Sequence, residues 1–297
     1  MRLALSNQSK EKIMPTKGTS IPKNHHFVAQ MHAARFTDDA GKLWAFNKEG
    51  GALFYAPPKA VFAETHLYTI EDAAGQKDTS LEADFATLEG DASSIINKLV
   101  DGARMGEAPH LTDEERATWD LYFYLQWKRT PDVHAKVASL NEPEARLDAI
   151  FAEIVARSPA AAAEVAKLDN PEERKRLIQG GKVHAIRRTP GDVLQVLASR
   201  GLVLLHVGDP DQSLAIGSLP IVRKAGDLRA EDSEVWLPIA SDVAAGPGYA
   251  PQTIKIVDVT DAEEVWRFNI VTARQSSTFA AASKNLMTDL IAALEQS

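Results

Sequence analysis

The stretch Leu202-Val203-Leu204-Leu205-His206-Val207 decides how this chain is read. Six mostly apolar residues, bounded by Gly201 and by Gly208-Asp209-Pro210, have the length and content of a buried strand. The chain before it patterns as helix. The chain after it patterns as short strands broken by Gly, Pro and Asp.

Working back from that point, Thr189-Pro190 introduces a helix over 193–199, which Gly201 breaks. Residues 132–180, rich in Ala and Glu, predict two or three helices. Asn170-Pro171-x-Glu173 is a start signal, with a cap, proline at the first position and an acid at the third. A helix from Thr112 to about Arg129 opens on a Thr112/Glu115 capping box. Its residues Ala117, Trp119, Leu121, Tyr122, Phe123, Tyr124, Leu125 and Trp127 make it apolar on nearly every side, so it is expected to be buried until Pro131 stops it. Over 81–100, Leu81, Phe85, Leu88, Ala92, Ile95 and Leu99 fall at helical spacing, with Thr79 and Glu82 as a second capping box.

Near the N-terminus, apolar runs 43–46 and 52–55 flank Asn47-Lys48-Glu49-Gly50-Gly51 and predict a β-hairpin. Residues 66–70 read as a further short strand. Downstream of Val207, strands are expected over 213–216, 220–222, 234–237 and 253–259. A helix from Asp261 to about Ala273, capped by Thr260 and Glu263, and a last helix over 279–294 follow. The class is α+β: a mainly helical domain with an N-terminal β-hairpin and a small C-terminal antiparallel sheet. Residues 1–22 are expected to be a mobile arm, and 23–297 a single domain.

The 297 residues are 44% hydrophobic and 25% charged, enough for a core without staples. With no cysteine, disulfides, thiolate metal sites and cysteine nucleophiles are excluded, and a reducing, cytoplasmic setting is expected. The net charge of −8 makes broad nucleic-acid binding a poor expectation. No apolar run approaches bilayer length. The phosphate-loop, HExxH and GxSxG signatures are all missing.

The richest chemistry lies in Asn24–Phe36, NHHFVAQMHAARF. His25 and His26 are read either as a proton shuttle or metal ligand, or as a turn cap beside a solvated neighbour. A short helix over 29–36 would set Gln30 and His26, rather than His32, towards the 81–100 helix. Glu82 and Glu89, seven residues apart, fall within roughly 20° of each other around that helix. Gln126 and Arg129 share a face of the buried helix, at i and i+3. A buried guanidinium needs a partner, and Glu82 or Glu89 is the expected one, unless Arg129 only caps its own helix.

Together these residues resemble the bacterial family known as "domain of unknown function 4238", over roughly residues 23–285. The family's His-His-x-Val-Pro-Gln with a following Arg and Phe stands here as His25-His26-Phe27-Val28-Ala29-Gln30, Arg35 and Phe36. Its paired helical acids look like Glu82 and Glu89. Its Gln-x-x-Arg-Thr-Pro looks like Gln126-Trp127-Lys128-Arg129-Thr130-Pro131, and a late Asn-rich helix start resembles Asn269. Ala29 replaces a family proline, and Gly217-Ser218-Leu219-Pro220 lacks the acid of the family's Ser-Asp-x-Pro. The resemblance implies no established activity.

Two functions are expected from the site. In one, His25, His26, Glu82 and Glu89 perform acid–base hydrolysis of a phosphoester or nucleotide, with Gln30, Gln126 and Arg129 binding the substrate. In the other, a non-catalytic binding or effector module uses the same residues as a structural polar network. The expected partner is a small molecule or nucleotide, not a membrane. Metal and cofactor are left open, as is the oligomeric state.

Overall fold

The computed structural model describes residues 24–72, 74–225 and 233–296. The arm expected over 1–22 lies outside the described residues. The chain is α+β, with helices concentrated between Ser80 and Ala198 and strands on either side.

Ser80–Met105 is longer than its apolar pattern suggested and ends on Gly106, whose φ of 70° supplies the left-handed turn. The expected Thr79/Glu82 box does not form, because Thr79 makes no side-chain cap. Asp78 instead accepts from the Ser80 N–H at 2.8 Å, which leaves Glu82 available to the interior. Asp113–Lys128 does carry its Thr112/Glu115 box, and it buries Trp119, Tyr122, Phe123, Tyr124, Leu125 and Gln126. Helices Pro131–Asn141, Pro143–Arg157, Ala162–Leu168, Pro171–Arg187 and Gly191–Ala198 follow. Asn170 caps Pro171–Arg187 by accepting from the Glu173 N–H.

The strand Leu202–Val207 is central to a five-stranded sheet in the order Ile254–Val259, Leu202–Val207, Val243–Pro247, Glu234–Ala240, Val222–Ala225. Its first pair is parallel and the rest are antiparallel. Val243–Pro247 escapes sequence reading because its Gly and Pro mimic a loop. The N-terminal hairpin, Leu43–Asn47 with Ala52–Ala56, does not stand alone. It joins Thr278–Ala281 and Ile216–Gly217 in a four-stranded sheet. Residues 278–281 were expected to begin the last helix, which starts at Lys284 on a Ser283 cap. Gly217 is required there: a Cβ would meet Ser276 Oγ at 2.0 Å. Asp261, rather than Thr260, caps Ala262–Gln275.

One large apolar cluster runs from Phe27 through both long helices to the five-stranded sheet, and a smaller one lies under the last helix. Among the described residues, no helix is long and apolar enough to cross a membrane.

Candidate functional site

Asn24–His26 forms a short strand paired with Ala63–Thr65, so its two histidines alternate sides. The inward one is His25, not His26 as expected. His25 is fully buried, stacks on Tyr68, and its Nδ1 accepts from the Tyr68 N–H at 2.9 Å. His26 is half-buried. Its Nε2 donates to the Lys59 carbonyl at 3.1 Å, and Gln30 approaches Nδ1 at 3.4 Å. These contacts put the ring proton on Nε2 and leave the Nδ1 lone pair towards the Gln30 amide. Gln30 opens the helix Gln30–Ala33 and is exposed.

His32, expected to be peripheral, sits deepest. Its Nε2 donates to the Pro238 carbonyl at 2.5 Å, and its Nδ1 accepts from the Tyr122 hydroxyl at 2.8 Å. Burial lowers its pKa to about 4, against the pull of the Pro238 bond, so it is neutral in the fold. The helical turn that carries Gln30 outward carries His32 inward, onto the Asp113–Lys128 helix.

Arg129 follows that helix as its C-terminal cap residue and exposes only 1% of its surface. It does more than cap. Its Nη1 donates to Glu89 Oε1 at 2.6 Å, its Nε to the Phe27 carbonyl at 3.0 Å, and its plane lies over the Phe85 ring. Burial works against the guanidinium charge, but Glu89 and the neighbouring tyrosines outweigh it and raise its pKa. The Tyr68 hydroxyl donates to the Arg129 carbonyl at 2.7 Å. Gln126 is equally buried, and its Oε1 and Arg129 Nη2 have no hydrogen-bond partner.

Glu89 and Glu82 carry this interior to the surface. Glu89 is 22% exposed while paired with Arg129. Glu82 is half-buried, and burial pushes its pKa to about 7. Arg129 pulls that value down, Glu89 pushes it up, and the backbone N–H of His26 pulls it down again. Its Oε2 is enclosed without a hydrogen-bond partner. Two carboxyls on one helix face therefore sit in different settings, one ion-paired and one held by burial towards its neutral form.

The candidates thus divide. His25, Gln126 and Arg129 are sealed, whereas His26, Glu82 and Glu89 are half-buried and Gln30 is exposed, with the His26 backbone N–H reaching Glu82 and Gln30 reaching the His26 ring; these four are the partly exposed lip of the network. Tyr68, Tyr122 and His32 were missed as members of the network. The spacing 122–126–129 puts Tyr122 on the Gln126/Arg129 face, so that much was legible.

The expected gap at Leu219 reads differently in three dimensions. Asp132, just after Pro131, comes against Ser218: its Oδ2 accepts from the Ser218 hydroxyl and from the Ser277 N–H at 3.1 Å. Ser218 Oγ in turn accepts from the Thr278 N–H at 3.0 Å. Asn269 is interior to its helix rather than at a start, and ties down the chain at Ser213 and Ala215. Among the described residues, no group of three or more His, Asp or Glu side chains is arranged to hold a metal ion.

The family model described as "Protein of unknown function (DUF4238)" matches residues 24–285. No curated protein and no solved structure matches the chain.

Proposed function

We propose, for a chain that belongs to the DUF4238 family and takes no named activity from it, that the lip formed by His26, Gln30, Glu82 and Glu89 hydrolyses a phosphoester or nucleotide by acid–base chemistry. The observation that carries this reading is the pair of carboxyls. Glu82, with a pKa raised to about 7, keeps a proton, and rotation of the carboxyl out of its enclosed position brings it to the leaving oxygen. His26 Nδ1 takes a proton from the attacking water once that water replaces the Gln30 amide, which approaches the same lone pair at 3.4 Å. Arg129, 1% exposed, is out of reach of a substrate phosphate even though its Nη2 is unpartnered. Its part is to fix Glu89 and, through Phe27, the strand that carries His26. The absence of cysteine supports a cytoplasmic setting.

The test is a panel of aryl phosphomonoesters, aryl phosphodiesters and nucleotides, with the wild type, Glu82→Gln and His26→Ala. Hydrolysis by the wild type that falls about a hundredfold in each folded variant supports the reading. Hydrolysis that is unchanged in both variants sinks it.

One observation favours a second reading. His25, His32, Gln126 and Arg129 are sealed from solvent, as a structural network in a binding module requires. That reading gains if no ester is turned over while one of the same compounds still raises the thermal midpoint.

A further inference from the structure

Three segments distant in sequence close on Asp132, the acid in the first turn of Pro131–Asn141. Lys48 follows the strand Leu43–Asn47, Ser218 follows Ile216–Gly217, and Ser277 precedes Thr278–Ala281. Backbone bonds fix them: the Ser218 N–H donates to the Thr278 carbonyl at 2.7 Å, and the Lys48 N–H to the Ser277 carbonyl at 2.9 Å. The Ser218 and Ser277 hydroxyl oxygens stand 3.1 Å apart. Ser218 is buried, whereas Ser277 and Lys48 are exposed.

We propose that Ser277 is a nucleophile that takes an acyl group from an uncharged carboxylic ester, with Ser218 and Asp132 drawing off its proton. The direction of the hydrogen bonds carries this. A serine hydroxyl has one proton to donate and two lone pairs. Ser218 gives its proton to Asp132 Oδ2 and accepts from the Thr278 N–H at 3.0 Å. At the contact between the two serines, the Ser277 hydroxyl is therefore the donor. Its proton lies on a two-step path to a carboxylate, and its lone pairs are left for an incoming carbon at the surface. The Asp132–Ser218 bond and the Ser277 N–H already tie the segments together, so the exposed Ser277 hydroxyl is not needed for that.

With an aryl ester, Ser277 Oγ bonds to the carbonyl carbon, its proton passes to Ser218 as that of Ser218 passes to Asp132, and the bond to the aryl oxygen breaks, releasing aryloxide. Water then attacks the acyl carbon and the Oγ–carbon bond breaks. Ser277 recovers its proton through Ser218, and the two protons of the water go to the carboxylic acid and to solvent. Lys48 Nζ donates one N–H to the Arg274 carbonyl at 2.9 Å and keeps two donors for the ester oxygen as it becomes negative. Burial lowers the Lys48 pKa and the Asp132 charge raises it, so the ammonium lies within electrostatic reach of the same carboxylate. That carboxylate, against the Ser277 N–H at 3.1 Å, repels a phosphate anion, and an uncharged ester fits in its place. Acylation here does not depend on hydrolysis at the lip.

The test uses full-length protein and a biotinylated alkyl fluorophosphonate, an uncharged electrophile that bonds an activated serine oxygen with loss of fluoride. Labelled peptides are identified and timed by mass spectrometry. Label is expected on Ser277, faster than on the exposed Ser94 by at least about tenfold. Asp132→Asn and Ser218→Ala, each checked by circular dichroism, should slow it about tenfold or more. Four results overturn the proposal: no label on Ser277, equal rates at Ser277 and Ser94, an unchanged Ser277 rate in either variant that is folded, or labelling as fast in urea-unfolded wild type.

Discussion

Replacing Glu82 by Gln removes the one lip carboxyl whose ionisation the fold resists, and the effect should appear as a change in how stability depends on pH. The folded pKa is about 7 and the ordinary value is 4.5. Because the folded value is the higher, the native state holds a proton that the unfolded chain has released across that window. Stability from this group is therefore complete below about pH 4.5 and is lost as pH rises through about 7. The full gap of about 2.5 pH units corresponds to about 3 kcal/mol. Glu82 is only partly enclosed, and solvent screening brings the expectation down to about 2 kcal/mol. Urea denaturation at pH 4.5, 6, 7 and 8 measures it. The difference between Glu82→Gln and wild type should move by about 2 kcal/mol in the variant's favour between pH 4.5 and pH 8. A fixed offset is expected as well, because the amide must take over the His26 N–H, and only the slope bears on the reasoning. Asp120, which burial raises to about 6, has the same sign but titrates in both proteins and cancels. Parallel curves for variant and wild type would refute the reasoning.

Arg129→Met should lower the unfolding free energy by on the order of 3 kcal/mol, because it leaves Glu89 and the Phe27 carbonyl without their donor. An unchanged denaturation midpoint contradicts the network. His32→Ala should cost about 2–4 kcal/mol, from the cavity and the stranded Tyr122 hydroxyl, and calorimetry showing no loss would restore the peripheral reading. His32 and His134, both lowered to about 4 by burial, each draw stability out of the fold as pH falls from about 6.5 towards 4, since the unfolded chain takes up the protons first, while Glu82 and Asp120 work the other way over the same range. The stability difference between His134→Gln and wild type isolates the effect: it should move in the variant's favour as pH falls, and a difference that stays constant speaks against it. Asp132→Ala should cost about 1–2 kcal/mol by releasing Ser218 and Ser277, and a variant as stable as wild type in urea shows that the node is ornamental.

Sequence made legible what local chemistry decides. The Thr112/Glu115 box, the Asn170 cap and the Asn47–Gly51 turn each act within a few residues, and each forms. That Glu82 or Glu89 would partner Arg129 followed from a helix too apolar to leave a guanidinium alone, but the choice of Glu89 did not. Non-local pairing was hidden. Alternation along Asn24–His26 says that the two histidines oppose each other, but not which of them faces the core. That choice is made by Tyr68, more than forty residues away. The short apolar run at Thr278–Ala281 fits strand or helix equally, and its pairing with Leu43–Asn47 decides it. Asp132 meets Ser218 across 86 positions of chain, and no sequence spacing announces such a contact.

The central claim is that a sealed Arg129 network presents one carboxyl, Glu82, that is protonated near neutral pH at an open edge. Carbon-13 NMR of side-chain carboxyls, with Glu82 assigned by its loss in Glu82→Gln, follows that proton directly. The expected titration midpoint is near 7. A midpoint near the ordinary 4.5 would contradict it.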